Sequence, residues 1–124
     1  MATLAADFQN KDQIADPNIV KVITDCNGRA IYFSRAPIPY DRESCGVGKA
    51  QQYLRHIGIY AYRKQFLLKI TSLPQTPLEK IEKLEQLRAI ENGFPVQVGK
   101  VKHTSDGIDT PSQYAKFVKR QKSK

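Results

Sequence analysis

The residues best suited to chemistry fall in a few short stretches. Arg35 and Arg42 bracket Ala36-Pro37-Ile38-Pro39-Tyr40-Asp41, where prolines stiffen the chain and hold two guanidinium groups at a fixed separation. Arginine forks pair bidentately with carboxylates and phosphates, so this segment suits an anionic ligand. It also reads as two surface arginines, with Arg42 satisfied by Asp41 or Glu43. In Arg55-His56-Ile57-Gly58-Ile59-Tyr60-Ala61-Tyr62-Arg63, two-residue alternation puts His56, Gly58, Tyr60 and Tyr62 on one strand face. Ile57, Ile59 and Ala61 take the other, which is the expected core face. Gly58 leaves room over the strand for a ligand between an imidazole and a phenol. The bland reading is a solvent face with aromatic cross-strand pairs.

Glu85 and Arg88, three apart, form an ordinary helical surface pair or, because Arg88 projects between Ile81 and Leu84, a partly buried charge with a partner. Asp106 and Asp109 flank Gly107 and Ile108 ahead of Thr110-Pro111. Carboxylates of this kind suit Mg²⁺, although Asp-Gly turns before helices are also ordinary loop chemistry. Gly46-Val47-Gly48-Lys49 is not a phosphate loop, since the first glycine of that pattern falls on Glu43 and Lys49 is followed by Ala50. Cys26, Cys45, His56 and His103 lack the paired spacings of a zinc site, and no nucleophilic triad signature is visible.

Strand and helix signals alternate, which implies an α/β arrangement. Ile19–Thr24 and Ala30–Ser34 flank an Asn27-Gly28 reversal and predict a hairpin. Tyr53–Tyr62 and Phe94–Lys102 predict further extended segments, and Gln65–Thr71 a short helix ended by Leu73-Pro74. Thr76-Pro77-Leu78-Glu79 is a capping box that opens a helix from Pro77 to about Glu91, striped by Leu78, Ile81, Leu84, Leu87 and Ile90. Thr110-Pro111-Ser112-Gln113 opens a last helix.

A chain of 124 residues is one domain in length. Its 40% hydrophobic and 26% charged content fits a globular protein and excludes collagenous and low-complexity classes. No stretch suits a membrane span or signal peptide, so a cytoplasmic protein is expected, and two cysteines make no disulfide framework. The net charge of +8 prompts a nucleic-acid reading, but Lys116, Lys119, Arg120, Lys122 and Lys124 carry five of those charges. A solvated C-terminal helix accounts for them, and nucleic acid is not the expected partner.

Taken together the segments resemble the 3-deoxy-manno-octulosonate (Kdo) cytidylyltransferases, the CMP-Kdo synthetases of lipopolysaccharide synthesis. The resemblance runs through Asp16-Pro17-Asn18 with Val20-Lys21-Val22, Tyr32-Phe33-Ser34-Arg35-Ala36 with Ile38-Pro39, and Leu54-Arg55-His56-Ile57-Gly58-Ile59-Tyr60. It continues through Pro77-Leu78-Glu79 with Leu84-Glu85-Gln86-Leu87-Arg88, and Gly107-Ile108-Asp109-Thr110-Pro111. It implies a Rossmann-like nucleotidyltransferase sheet with a β-hairpin extension and flanking helices. Arg35 and Arg42 would belong to a basic sugar-acid loop, His56 and Tyr60 to the wall contacting Kdo, Glu85 and Arg88 to the sugar-site helix, and Asp109 to a Mg²⁺ site. In such enzymes the anomeric hydroxyl of Kdo attacks the α-phosphate of CTP and pyrophosphate leaves. Members of that family run to about twice this length, and Met1-Ala2-Thr3-Leu4 resembles a stretch in their middle. The whole chain, 1–124, is therefore expected to be the C-terminal, sugar-binding and dimerisation portion, inactive unless a chain carrying the N-terminal nucleotide-binding half complements it. An inert gene remnant and a small basic nucleic-acid binder are the alternatives. An uncovered sheet edge would favour self-association, most simply a homodimer.

Overall fold

The computed structural model describes residues 1–102 and 111–123. Five strands, β1 (Ala2–Asp7), β2 (Lys21–Thr24), β3 (Ala30–Ser34), β4 (Leu54–Ala61) and β5 (Gln97–Val101), form one mixed sheet in the order β3-β2-β4-β1-β5. Only β1 and β5 pair in parallel; the other neighbours are antiparallel. The helices are α1 (Lys64–Ser72), α2 (Pro77–Glu82), α3 (Leu87–Glu91) and α4 (Pro111–Lys122). The β2–β3 hairpin closes through Gly28, whose φ of +75° is the left-handed conformation a glycine adopts at little cost. The Asp25 carboxylate accepts from the backbone N–H groups of Asn27 and Arg29 in the same turn.

β1 is the strand that pattern reading misses. Its Ala-Thr-Leu-Ala-Ala run has low strand propensity, yet it lies between β4 and β5 with Ala5 and Ala6 almost fully buried. Small side chains are what that place requires, because layers close over both sides of it. One core gathers Ala5, Val22, Phe33, Leu84, Leu87 and Val96; a second, smaller one gathers Phe8, Ile14 and Tyr53. The Tyr53 hydroxyl accepts from Gly48 N–H at 3.0 Å and ties the Pro- and Gly-rich loop to the second core.

Two expectations need correction. The helix expected from Pro77 to Glu91 is broken: α2 stops at Glu82, Lys83 takes a left-handed φ of 55°, and α3 starts at Leu87. The break has a Schellman-type closure, with the N–H groups of Lys83 and Leu84 both reaching the Glu79 carbonyl. Arg35 supports it from outside, donating from Nε to the Glu82 carbonyl at 2.7 Å. Breaking the helix separates the apolar stripe: Leu84 and Leu87 enter the core, whereas Ile81 turns outward and is 76% exposed.

The second correction concerns β4. Ile59 and Ala61, expected on the core side, are exposed, while His56 and Tyr60 are half-buried. Helices cover the His56 side of the sheet, as the presence of Ile70, Leu84 and Leu87 in the main core shows. Pairing also jumps from Leu4↔Ile57 to Thr3↔Tyr60, so Gly58 and Ile59 are extra residues in β4. Two extra residues preserve the alternation, and His56 and Tyr60 remain on one face with ring centroids 5.5 Å apart.

Candidate functional site: a groove between β4 and the α2–α3 elbow

A groove of about 730 Å³ runs between the His56 side of β4, α1, and the elbow joining α2 to α3. Of the residues predicted from sequence, His56, Tyr60, Glu85 and Arg88 line it; Arg35 and Arg42 do not. Asp109, the expected metal ligand, lies outside the described residues, as do Asp106 and His103.

The β4 wall is aromatic. His56 meets Phe33 edge-on at 4.9 Å, Tyr60 follows, and Tyr62 continues the row at 6.0 Å before stacking on Phe66 of α1. Both polar rings are held neutral. Burial lowers the His56 pKa to about 4, and burial, with smaller contributions from Tyr62 and Glu85, raises that of Tyr60 well above the usual phenol value. The groove therefore presents hydrogen-bonding tips on an uncharged wall.

The opposite wall owes its shape to Arg88. Its partner is Glu79, with Nε donating to Oε2 at 2.8 Å and Nη2 to Oε1 at 2.5 Å; Glu85 is exposed and is not that partner. Nη1 reaches the Ile70 carbonyl at 3.4 Å, linking α3 to α1. The Arg88 bonds hold the Glu79 carboxyl below the usual carboxylate range. Glu91 accepts from the N–H groups of Leu78 and Glu79, so each short helix carries a charge that fixes the other. The capping box made Glu79 visible as a helix start, but its spacing from Arg88 crosses the elbow and pattern reading does not pair them.

Arg35 is spent on the same elbow. Besides Glu82, its guanidinium donates to the carbonyls of Pro17 at 2.9 Å and Lys83 at 3.4 Å, while its backbone N–H donates to the Glu82 carboxylate at 3.0 Å. Ser34 Oγ donates to that carboxylate at 2.6 Å. Arg42 stands apart on an exposed turn. Among the polar residues that line the groove, Lys83, buried Gln86 and Asn18 were not singled out as site residues from sequence. The left-handed Lys83 carries no glycine signal that could have found it.

Among the described residues no group of three or more His, Cys, Asp or Glu side chains could hold a metal ion. A Mg²⁺ ion needs only one or two protein carboxylates, and the one expected from sequence, Asp109, lies outside the described residues.

A sequence model of the family described as cytidylyltransferase matches residues 1–103. The 3-deoxy-manno-octulosonate cytidylyltransferase of Syntrophotalea carbinolica is 52% identical over 116 residues, which is 90% of this chain and 46% of that protein. The enzymes of the same name from Solibacter usitatus and Neisseria gonorrhoeae are 48% and 47% identical, over 43% and 46% of their lengths. A solved structure of CMP:2-keto-3-deoxy-manno-octonic acid synthetase complexed with CTP superposes with a TM-score of 0.85 at 38% identity, covering 98% of this chain and 48% of that one. The five-stranded sheet is thus part of a nucleotidyltransferase fold, and the chain spans about half the length of the relatives it matches. On this sequence match and this shared fold, the chain belongs to the cytidylyltransferase family, alongside the 3-deoxy-manno-octulosonate cytidylyltransferases.

Proposed function

We propose that this chain forms the sugar-acid side of a CMP-Kdo synthetase and holds Kdo in the groove between β4 and the α2–α3 elbow. The observation that carries the reading is the convergence of His56, Tyr60, Glu85 and Gln86 on one groove. A polyhydroxylated ligand needs donors and acceptors on a wall that costs little to desolvate, and neutral His56 and Tyr60 provide it. Lys83, whose ammonium has no hydrogen bond or ion pair among the described residues, is placed to meet the sugar carboxylate. Arg88 and Arg35 act as positioning residues that fix the elbow, and exposed Arg42 adds positive charge from its turn.

In the reaction the Kdo hydroxyl oxygen forms a bond to the α-phosphorus of CTP as the bond to pyrophosphate breaks. The contribution of these residues is orientation, which alone can lower such a barrier by several kcal/mol. The CTP site lies outside this reading of the groove and is supplied by a nucleotide-binding half. Asp109 enters the proposal as one carboxylate toward a Mg²⁺ ion whose remaining oxygens would come from that half and the nucleotide. The setting is cytoplasmic, where CTP is made. Homodimerisation is part of the same proposal, because Ile31 and Ile59 lie 53% and 62% exposed on the sheet.

A titration of Kdo into the ¹⁵N-labelled chain tests the groove. Saturable shifts of the Gly58 and Gln86 amides are expected, with line widths too broad for a 14.1 kDa monomer. Shifts confined to the basic C-terminal helix, or none, contradict the sugar reading; narrow monomer lines contradict the dimer.

A further inference from the structure

Thr3 sits in the middle of β1 with 3% of its surface exposed. Its Oγ1 lies 2.8 Å from His56 Nε2, 2.8 Å from the Ile59 carbonyl oxygen and 3.2 Å from that of Ile57. One hydroxyl hydrogen serves these contacts. If it pointed at His56, Oγ1 and the Ile59 oxygen would face each other at 2.8 Å with no proton between them, a lone-pair repulsion inside the protein. The hydrogen therefore lies on the Ile59 carbonyl, and Oγ1 accepts from His56 Nε2–H.

His56 is neutral at neutral pH, since burial lowers its pKa to about 4. A neutral imidazole carries one N–H, so protonation at Nε2 leaves Nδ1 with its lone pair. Among the described residues no group hydrogen-bonds to Nδ1. Through its own hydrogen the same hydroxyl holds the Ile59 carbonyl, next to Gly58, where β4 carries its extra residues. Phe33 and Tyr60 flank the ring, while its only hydrogen-bond partner among the described residues, and hence what sets its tautomer, is Thr3.

We propose that Thr3 is a positioning residue that fixes His56 as the Nε2–H tautomer, so that Nδ1 offers the groove an acceptor that selects a ligand hydroxyl over a carboxylate or phosphate oxygen. Its meaning for specificity rests on the sugar-acid reading; the tautomer does not.

Long-range ¹H–¹⁵N correlation on the chain labelled at its two histidines reads the tautomer directly at pH 7. The wild type is expected to show a protonated Nε2 and an unprotonated Nδ1 at His56. Thr3→Ser keeps that pattern, and Thr3→Val, which retains the shape and loses the hydroxyl, collapses it to exchanging tautomers. A wild-type Nδ1–H form, or a Thr3→Val spectrum identical to wild type, overturns the proposal. Should Thr3→Val fail to fold, the wild-type and Thr3→Ser spectra still decide, since both must show Nε2–H. No sugar is present, so failure here leaves the Kdo reading standing, and a groove indifferent to Kdo leaves the tautomer standing.

Discussion

Replacing Arg88 with alanine is expected to destabilise the chain by about 3 kcal/mol, the low end for removing one partner of a buried ion pair, because the Glu79 carboxylate is buried while Arg88 is half-buried. Glu79 is 2% exposed, and both its carboxylate oxygens bond to Arg88. Without the guanidinium that carboxylate would keep only the Thr76 N–H at 3.1 Å. A surface pair would be worth well under 1 kcal/mol, so the magnitude separates the two cases. Arg88→Lys restores the charge without the fork and should recover only part of the loss. The Arg88→Met, Glu79→Leu double variant should lose less than Arg88→Ala, because no charge is left stranded. Acid gives a further check on sign. The folded Glu79 pKa is depressed by Arg88, so the pair's contribution is present at neutral pH and lost as pH falls through the folded value. The gap between wild type and Arg88→Ala, read from urea unfolding, should therefore narrow in strong acid.

His56 gives the second large effect. Its folded pKa of about 4 lies below the ordinary 6.5, so between those values the unfolded chain takes up a proton that the folded chain refuses. Stability should fall as pH drops through this window, by about 3 kcal/mol in all, and His56 should add nothing further below it. Unfolding free energies measured between pH 7.5 and 4 would show the slope, and His56→Gln should flatten it. A wild-type curve that is level over this range would mean that His56 is solvated and that the groove wall is not dry.

What the sequence disclosed follows the range of its signals. The Asn27-Gly28 hairpin, the Thr76-Pro77 start and the β4 alternation are local, and each corresponds to an observed element. The His56–Tyr60 pairing survived even the two extra residues in β4, because an even insertion leaves the faces unchanged. β1 was illegible because its alanines answer to neighbours on both sides of the sheet. The elbow was illegible because it depends on Arg35, 47 residues distant from Glu82, and on a left-handed lysine. The Glu79–Arg88 pair was hidden for the same reason: residues nine apart lie on opposite faces of a continuous helix, and the elbow brings them together. Spacing offered Arg35 and Arg42 as an anion-binding pair and resemblance implied sugar-site roles for them and for Glu85; geometry separates the three: one braces the elbow, one stands on an exposed turn, one lines the groove.

The central claim, that this chain is a sugar-acid half, is tested most directly by complementation. The segment of the Syntrophotalea carbinolica relative that this chain does not match would be produced separately and mixed with it, together with CTP, Kdo and Mg²⁺. CMP-Kdo and pyrophosphate should appear only when both chains are present, and substituting Tyr60 or Lys83 should lower the yield. No CMP-Kdo from the mixture, under conditions where the intact relative is active and both chains are folded, would contradict the claim.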